Sequence, residues 1–316
     1  METSEFEGGN EYPQNPEHLA IAMTHVNRLL IADDVLRRLP PSNSRKFDFW
    51  EYEESDQFTI PDGMEVGKFS SVPEIRPKAT KTDSSVKNYG IVEPVSQEDI
   101  DDHSAGVDPL ARATMRCSNL VKLAREVRVA NLVFNAATYA STNKDTLSGT
   151  SQFSHTSSDP IVQLKEYLDG MKMRPTKMII GRRPWTKMST HAKVVKASNG
   201  NAGDAGVANR RVVADLLEIQ EIIVGEAFVN GAVKGQTMTN ERAWGNYIAL
   251  LFDDPTADNV GGLTFGFTYQ YKGPVVKTFG KPEVGLHGAQ KQLVGESVRE
   301  VISAPSCGFL ISSVIA

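Results

Sequence analysis

An α+β chain built around one long helix is what this sequence predicts, and three observations carry the prediction. Residues 108–138 read DPLARATMRCSNLVKLAREVRVANLVFNAAT, with no Gly or Pro after the opening Asp-Pro. Residues 171–261 alternate short apolar runs with helical patterns, as compact α/β units do. Residues 46–97 and the stretch from 262 onward are rich in β-branched and aromatic alternation and lack helical periodicity.

The long helix has the clearest warrant. Asp108 can accept from the free N–H groups of the first turn, and Pro109 suits the first helical position. Leu110, Ala113, Cys117, Leu120, Ala124 and Val127 recur at helical spacing, with Val121, Ala130, Phe134 and Ala137 widening the stripe. Arg112, Arg116, Lys122, Arg125 and Arg128 fall mostly off it. About 30 residues at ~1.5 Å each give a rod of roughly 45 Å, a spine for other layers to lie against.

The leading segment is different. Residues 1–16 are polar and contain Gly and Pro. Residues 17–38 place Leu19, Met23, Val26, Leu29, Leu30 and Val35 near helical spacing, and Pro40-Pro41 then ends any helix. This reads as an arm whose apolar face needs a cover. KFDFWEYEE (46–54) suits a strand, PDG and SVPE are turn material, and residues 74–96 read as two more strands separated by TDSS. Little apolar area is available there, so a long ribbon of this kind is marginal alone and needs a neighbour to rest on. Residues 138–159 form a Ser/Thr-rich loop that leads into a second Asp-Pro helix start at Asp159-Pro160, and loops that long are usually functional. After Arg174, TKMIIG is a buried strand, Pro184 starts a helix, VVADLLEIQ is helical, and EIIVGEAFVN and NYIALLF are strands. GFLISSVI returns to that α/β unit, while the strands before it lie along the spine.

Composition excludes several classes. The chain has 316 residues, 40% apolar and 23% charged, as a globular protein does. No apolar run approaches the ~18 residues of a membrane span, and METSEFEGG argues against a signal peptide. Two cysteines make neither a disulfide framework nor a zinc site, so reducing, cytoplasmic synthesis is the expectation. Of 39 acidic and 34 basic side chains, residues 1–105 hold 21 and 10, leaving 18 and 24 in the remainder. An acidic leading part and a basic body attract one another between copies.

Chemistry is sparse. His18, His25, His103, His155, His191 and His287 show no ligand spacing, so no metal and no cofactor is expected. GNAGDAG (200–206) follows a helix and lacks the phosphate-loop lysine. There is no GxSxG elbow, Ser154-His155 is a loop dipeptide, and Asp253-Asp254 closes a strand. Trp185 and Trp244 stand beside Arg182, Arg183 and Arg242, which suits a rim of subunit contacts better than a nucleic-acid stacking surface.

The order of these elements resembles the major capsid proteins of tailed bacteriophages, which have the Hong Kong 97 fold. Residues 29–54 resemble the family's N-terminal arm entering its first strand, and the ribbon resembles its extended E-loop. The DPLARATMRC and REVRVA stretches resemble its spine helix. LSGTSQFSHTSSDPIVQL resembles the family passage LSGT…W…SDPI, with Phe153 where Trp is usual. RPTKMIIGRRPWTKMSTHAKV resembles the passage that opens its axial domain, with Ala192-Lys193 for Pro-Lys.

The resemblance implies an arm over 1–45, an E-loop over 46–97, a peripheral domain over 98–170 and 262–302 with its spine at 108–140, and an axial domain over 171–261 and 303–316. It implies a shell protein without an active site. Copies would assemble into pentamers and hexamers of an icosahedral head enclosing double-stranded DNA, contacted non-specifically. The place would be the virion, after assembly in the host bacterial cytoplasm. Arm and ribbon would bury their apolar residues on neighbouring copies. Arg76, Lys78, Lys81, Arg182, Arg183, Trp185 and Trp244 are the candidate contact residues. Lys68, Lys78 and Lys81 are lysines in or near the ribbon, available to the Lys–Asn cross-linking of some relatives. With about 45 residues before the ribbon, a separate scaffolding protein, or none, is expected; a portal is a further partner, and the sequence does not decide on a decoration protein. An encapsulin-like cargo shell shares the fold and is the alternative. An enzyme with its site in the 143–159 loop and a nucleic-acid-binding protein are the readings from other classes.

Overall fold

The computed structural model of the chain describes residues 17–18, 29–52, 60, 64–68, 72, 74, 79–102, 108–200, 203, 205–232, 235–259 and 261–316. The spine is helix α3, Pro109–Val133, entered after a four-residue turn α1 (Ala32–Val35) and a short helix α2 (Gln97–Asp101). Asp108 caps α3 by accepting from the Leu110 N–H at 2.8 Å, with Pro109 in the first turn. It ends seven residues short of the expected 140. Phe134 is its C-cap, and Asn135 turns extended and caps a 3-10 turn, Ala136–Thr138. Thr138 and Tyr139 hydroxyls donate to the Leu132 and Val133 carbonyls, so side chains satisfy the last turn.

The buried stripe of α3 is rotated from the expected one. Leu120 and Ala124 face outward, whereas Arg125 and Glu126 are buried with Ala113, Cys117, Val121, Val129 and Val133. The i, i+4 row from Ala113 to Val133 is intact, but it includes Arg125, with the equally buried Glu126 beside it, and both are met by groups of the leading segment.

Strand pairs build two main sheets. In the first, β12 (Ala289–Ile302) is the axis. On one side it pairs with β3 (Lys87–Ser96), and on the other with β11 (Val275–Lys281) and then β10 (Gly266–Gln270), all antiparallel. Helix α3 lies along this sheet, as expected for the C-terminal strands. The ribbon base is β1 (Lys46–Tyr52) against β2 (Ala79–Ser85), antiparallel, with Phe47 opposite Ser84 and Phe49 opposite Thr82. TDSS is therefore strand, not turn. The break comes at Val86, whose side chain turns inward to pack with Phe47, Phe49, Leu39, Phe267 and Tyr269. Most of the ribbon beyond that base lies outside the described residues, as do Arg76 and Lys78.

The second sheet runs β4 (Lys144–Thr146), β13 (Gly308–Ser312), β9 (Ile248–Leu251), β5 (Lys177–Gly181) and β6 (Glu221–Gly225). Successive side chains alternate between two cores, because a strand points them to opposite faces. Met178, Ile180, Ile222, Val224, Ile248, Leu250 and Ile311 join one core, with α4 (Pro160–Gly170), α5 (Arg182–Ser189), α6 (Ala192–Ser198) and α7 (Arg210–Leu217). Ile179, Ile223, Ala249, Leu251 and Leu310 join the other, with the C-terminal half of α3 and the leading segment. The Ser/Thr-rich loop also packs inward: Phe153 is buried and its N–H donates to the Val314 carbonyl at 2.8 Å. A small hairpin of β7 (Phe228–Asn230) and β8 (Asn240–Arg242) completes this part, so EIIVGEAFVN is two strands broken at Glu226-Ala227.

The described part of the arm corrects an expectation. Ile31, Ala32, Val35, Leu36 and Leu39 are buried on the chain's own α3, β10 and second sheet, not left for a neighbour. Thr268 N–H donates to Arg37 O at 2.8 Å and Leu39 N–H to Thr268 O at 2.9 Å, so the segment runs as a partial strand beside β10.

Candidate subunit-contact site

Two kinds of polar cluster stand out: one that ties the chain to itself and one that faces solvent. The internal cluster joins the arm to α3 and β12. Arg125, only 1% exposed, pairs with Asp33 through Nη1, and its Nη2 donates to Thr268 Oγ1 at 3.0 Å and Leu36 O at 3.3 Å. Arg38 donates to Asp33 at 2.6 Å and Glu296 at 2.8 Å. Arg128 donates to Glu300 at 3.0 Å and stacks over the Tyr89 ring at 3.6 Å. Burial alone would raise the Asp33 pKa, but the guanidinium groups of Arg125 and Arg38 hold it below the usual carboxylate value. Lys177 adds a tie from β5, donating to Asp253 at 2.6 Å and to the Asp34 carbonyl at 2.9 Å.

The outward cluster lies where α5 and the β7–β8 hairpin meet. Arg182 donates to Glu226 at 2.9 Å with both side chains exposed, and Arg183 beside it is exposed too. Arg242 stacks on the Phe228 ring at 3.7 Å and donates to the Glu226 carbonyl at 2.6 Å. Phe228 remains 50% exposed. Phe228 and Glu226 were not legible as site residues, because EIIVGEAFVN reads as one continuous strand. Lys81 stands apart from this cluster, on the ribbon base, 2.5 Å from Asp48, and both side chains are exposed.

Trp185 and Trp244 are not rim residues. Trp185 packs in the core under α5, and Trp244, 1% exposed, packs edge-on to Phe134 at 5.2 Å and donates from Nε1 to Glu126 at 2.6 Å. Trp185 lies on the inner face of α5 and Trp244 in the turn between β8 and β9, so both rings point inward while Arg182 and Arg183 stay exposed.

The remaining chemistry-bearing residues serve local structure. His191 Nε2 lies 3.3 Å from Ser158 Oγ, His155 Nδ1 accepts from Ser157 N–H, and Ser154 Oγ accepts from Ala316 N–H. His18 lies 3.3 Å from the Asp108 carboxylate. His25 and His103 lie outside the described residues. Burial, then Glu93, pushes the Cys117 thiol up to about 11, leaving it a packing residue. Among the described residues no group of three His, Cys, Asp or Glu side chains could hold a metal ion. No helix among them is long and apolar enough to cross a membrane.

Comparison with known proteins gives the arrangement its class. The fold matches a phage-related protein of Bordetella bronchiseptica RB50 with a TM-score of 0.74 at 19% identity, over 96% of this chain and 98% of that one. It also matches a putative capsid protein of an Escherichia coli CFT073 prophage, at 0.58 and 11%, over 95% and 99%. An encapsulin of Synechococcus elongatus PCC 7942 aligns at 0.54 and 10%, over 92% and 90%. These likenesses define a mixed α+β fold of the phage-capsid type. No family model matches the chain. In sequence it is 40% identical to the major capsid protein of Pseudomonas phage JBD67 over 305 residues, 96% of this chain and 98% of that protein. It is 26% identical to the major capsid protein of Burkholderia phage BcepMu over 221 residues, 65% of this chain and 67% of that protein. The chain belongs to the major capsid proteins of bacteriophages, the structural proteins from which the head shell is made.

Proposed function

We propose that this chain assembles with copies of itself into pentamers and hexamers that close an icosahedral head around double-stranded phage DNA. The observation that carries the reading is the 40% identity to a phage major capsid protein along nearly the whole of both chains. In this reading the fold divides as in the Hong Kong 97 type: arm 1–45, E-loop 46–97, peripheral domain 98–170 with 262–302, and axial domain 171–261 with 303–316. The role is structural and not enzymatic. A separate scaffolding protein, a portal and a decoration protein are its further partners, DNA is contacted non-specifically, and assembly takes place in the host cytoplasm before the protein resides in the virion.

Subunit contacts in this reading run through exposed charge: Arg182 and Arg183 near the capsomer centre, and Lys81 with Arg76 and Lys78 along the ribbon. The Arg182→Glu/Arg183→Glu variant is expected to fold and to remain as small species in sedimentation, because like charges cost a ring contact and not the core. Parent-like shells from that variant would remove these residues from the interface.

Particle contents test the function itself. Particles purified from phage-producing cells are expected to hold nuclease-resistant double-stranded DNA of genome length. Particles filled with a cargo enzyme and empty of DNA would move the protein to the encapsulin-like class.

A further inference from the structure

Glu126 is fully buried on α3, and its two carboxylate oxygens serve two different parts of the chain. The Ile31 N–H lies 3.0 Å from each oxygen and the Ala32 N–H 2.8 Å from Oε2, both from the leading segment. The Trp244 indole N–H donates to Oε1 at 2.6 Å, from the connection between β8 and β9. The charged groups around it are Arg125 and Lys122 on α3, Asp33 and Arg38 on the leading segment, and Glu296 on β12. With Leu30, Pro41 and Val294 they line an opening of about 450 Å³, so the leading segment is close-packed on one side only. Burial pushes the carboxyl pKa up, and the donors from Ile31, Trp244 and Ala32, with the Arg125 charge, oppose that rise.

We propose that Glu126 is a positioning residue that couples the seat of the leading segment to the seat of Trp244 in the β8–β9 connection, so that the two lock and release together. The physical reason lies in shared solvation. A carboxylate without water depends on its three donors. If Trp244 withdraws, the remaining charge is poorly solvated and the carboxyl takes up a proton at a pH nearer neutral. A protonated carboxyl carries a donor of its own and no longer accepts well from both amides. Residues 31–32 are then held less firmly although nothing has touched them directly. In a shell, copies would therefore change the two seats together and not one at a time.

Hydrogen exchange on the full-length chain reads this directly. Trp244→Phe keeps a ring against Phe134 and removes only the indole donor. Exchange at Ile31 and Ala32 is expected to quicken about tenfold relative to the parent. The gain should be larger at pH 6 than at pH 8, with Ile179 and Ile180 of β5 unchanged. Glu126→Gln has nothing to titrate, so its gain at residues 31–32 should be equal at both pH values. Phe134→Leu disturbs the same packing and leaves all three donors, and it should show no selective gain. Parent rates at residues 31–32 in the Trp244→Phe chain would overturn the proposal. So would a rise matched in proportion at Ile179 and Ile180, or a pH-dependent gain in the Glu126→Gln chain.

Discussion

Arg125→Ala is expected to lower subunit stability by about 3–5 kcal/mol, the cost of breaking a buried ionic cluster from one side. The guanidinium is 1% exposed and serves the Asp33 carboxylate, the Thr268 hydroxyl and the Leu36 carbonyl, with Glu300 3.8 Å from its Nε. Removing it leaves Glu300, itself 8% exposed at the side chain, with Arg128 as its remaining cation, and leaves the arm without its central tie. Asp33 is 58% exposed, so water relieves part of its loss. Arg125→Lys restores the charge but not the planar fork that reaches several acceptors, so it should recover only part of the stability. Arg112→Ala, on the exposed face of the same helix, should change stability by less than ~0.5 kcal/mol. Urea unfolding of the dissociated subunit measures all three. Equal midpoints for Arg125→Ala and Arg112→Ala would mean that the buried cluster does not hold the arm.

Gly181→Ala is the second large effect, expected at about 3 kcal/mol or more, with loss of soluble subunit. Gly181 ends β5 and caps α5 with an ordinary φ of −64°, so dihedral freedom is not the reason for glycine. Space is the reason. A Cβ there would sit 2.0 Å from the Gly245 carbonyl oxygen and 3.0 Å from that of Trp244, both backbone atoms of the segment that enters β9. Neither can move without pulling Trp244 from Glu126 or β9 from the sheet. Gly280→Ala on β11 meets nothing within 4 Å and should be close to neutral. Soluble yield and thermal midpoints of the two alanine variants separate a steric demand from a general intolerance of substitution.

What the sequence disclosed follows from how locally each feature is encoded. The start of α3 was legible because Asp108 and Pro109 carry their signal in two residues. The second sheet was legible because Met178–Ile180 and Ile248–Phe252 are unbroken apolar runs, as strands covered on both faces are. The C-terminal end of α3 was not, since Thr138 and Tyr139 terminate it by reaching back, and Ala136-Ala137 still read as helix. Arg125 lies on the buried face against expectation, and Glu126 beside it went unannounced, for a deeper reason. Burial of a charged pair is decided by partners far away in the chain, here Ile31, Asp33 and Trp244, and no spacing rule announces them. The arm was misjudged by the same omission: its apolar residues were counted, but the surface waiting for them on α3 and β10 is assembled from residues more than 80 positions later. Trp185 and Trp244 look like interface residues by company, yet Trp185 lies on the inner face of α5 and Trp244 in the turn before β9, and both rings point into the core.

The subunit that results has a leading segment already seated on its own spine, a ribbon base fixed by Phe47 and Phe49, and exposed charge on α5 and β2 that we propose meets other copies. In the proposed function this folded chain builds a closed shell from copies of itself. Negative-stain electron microscopy of the purified, overexpressed full-length protein tests that most directly. Closed shells, rings of five or six subunits, or tubes of the same subunits are the result expected. A uniform compact monomer at high concentration, across the salt and pH range in which the chain stays folded, would contradict it.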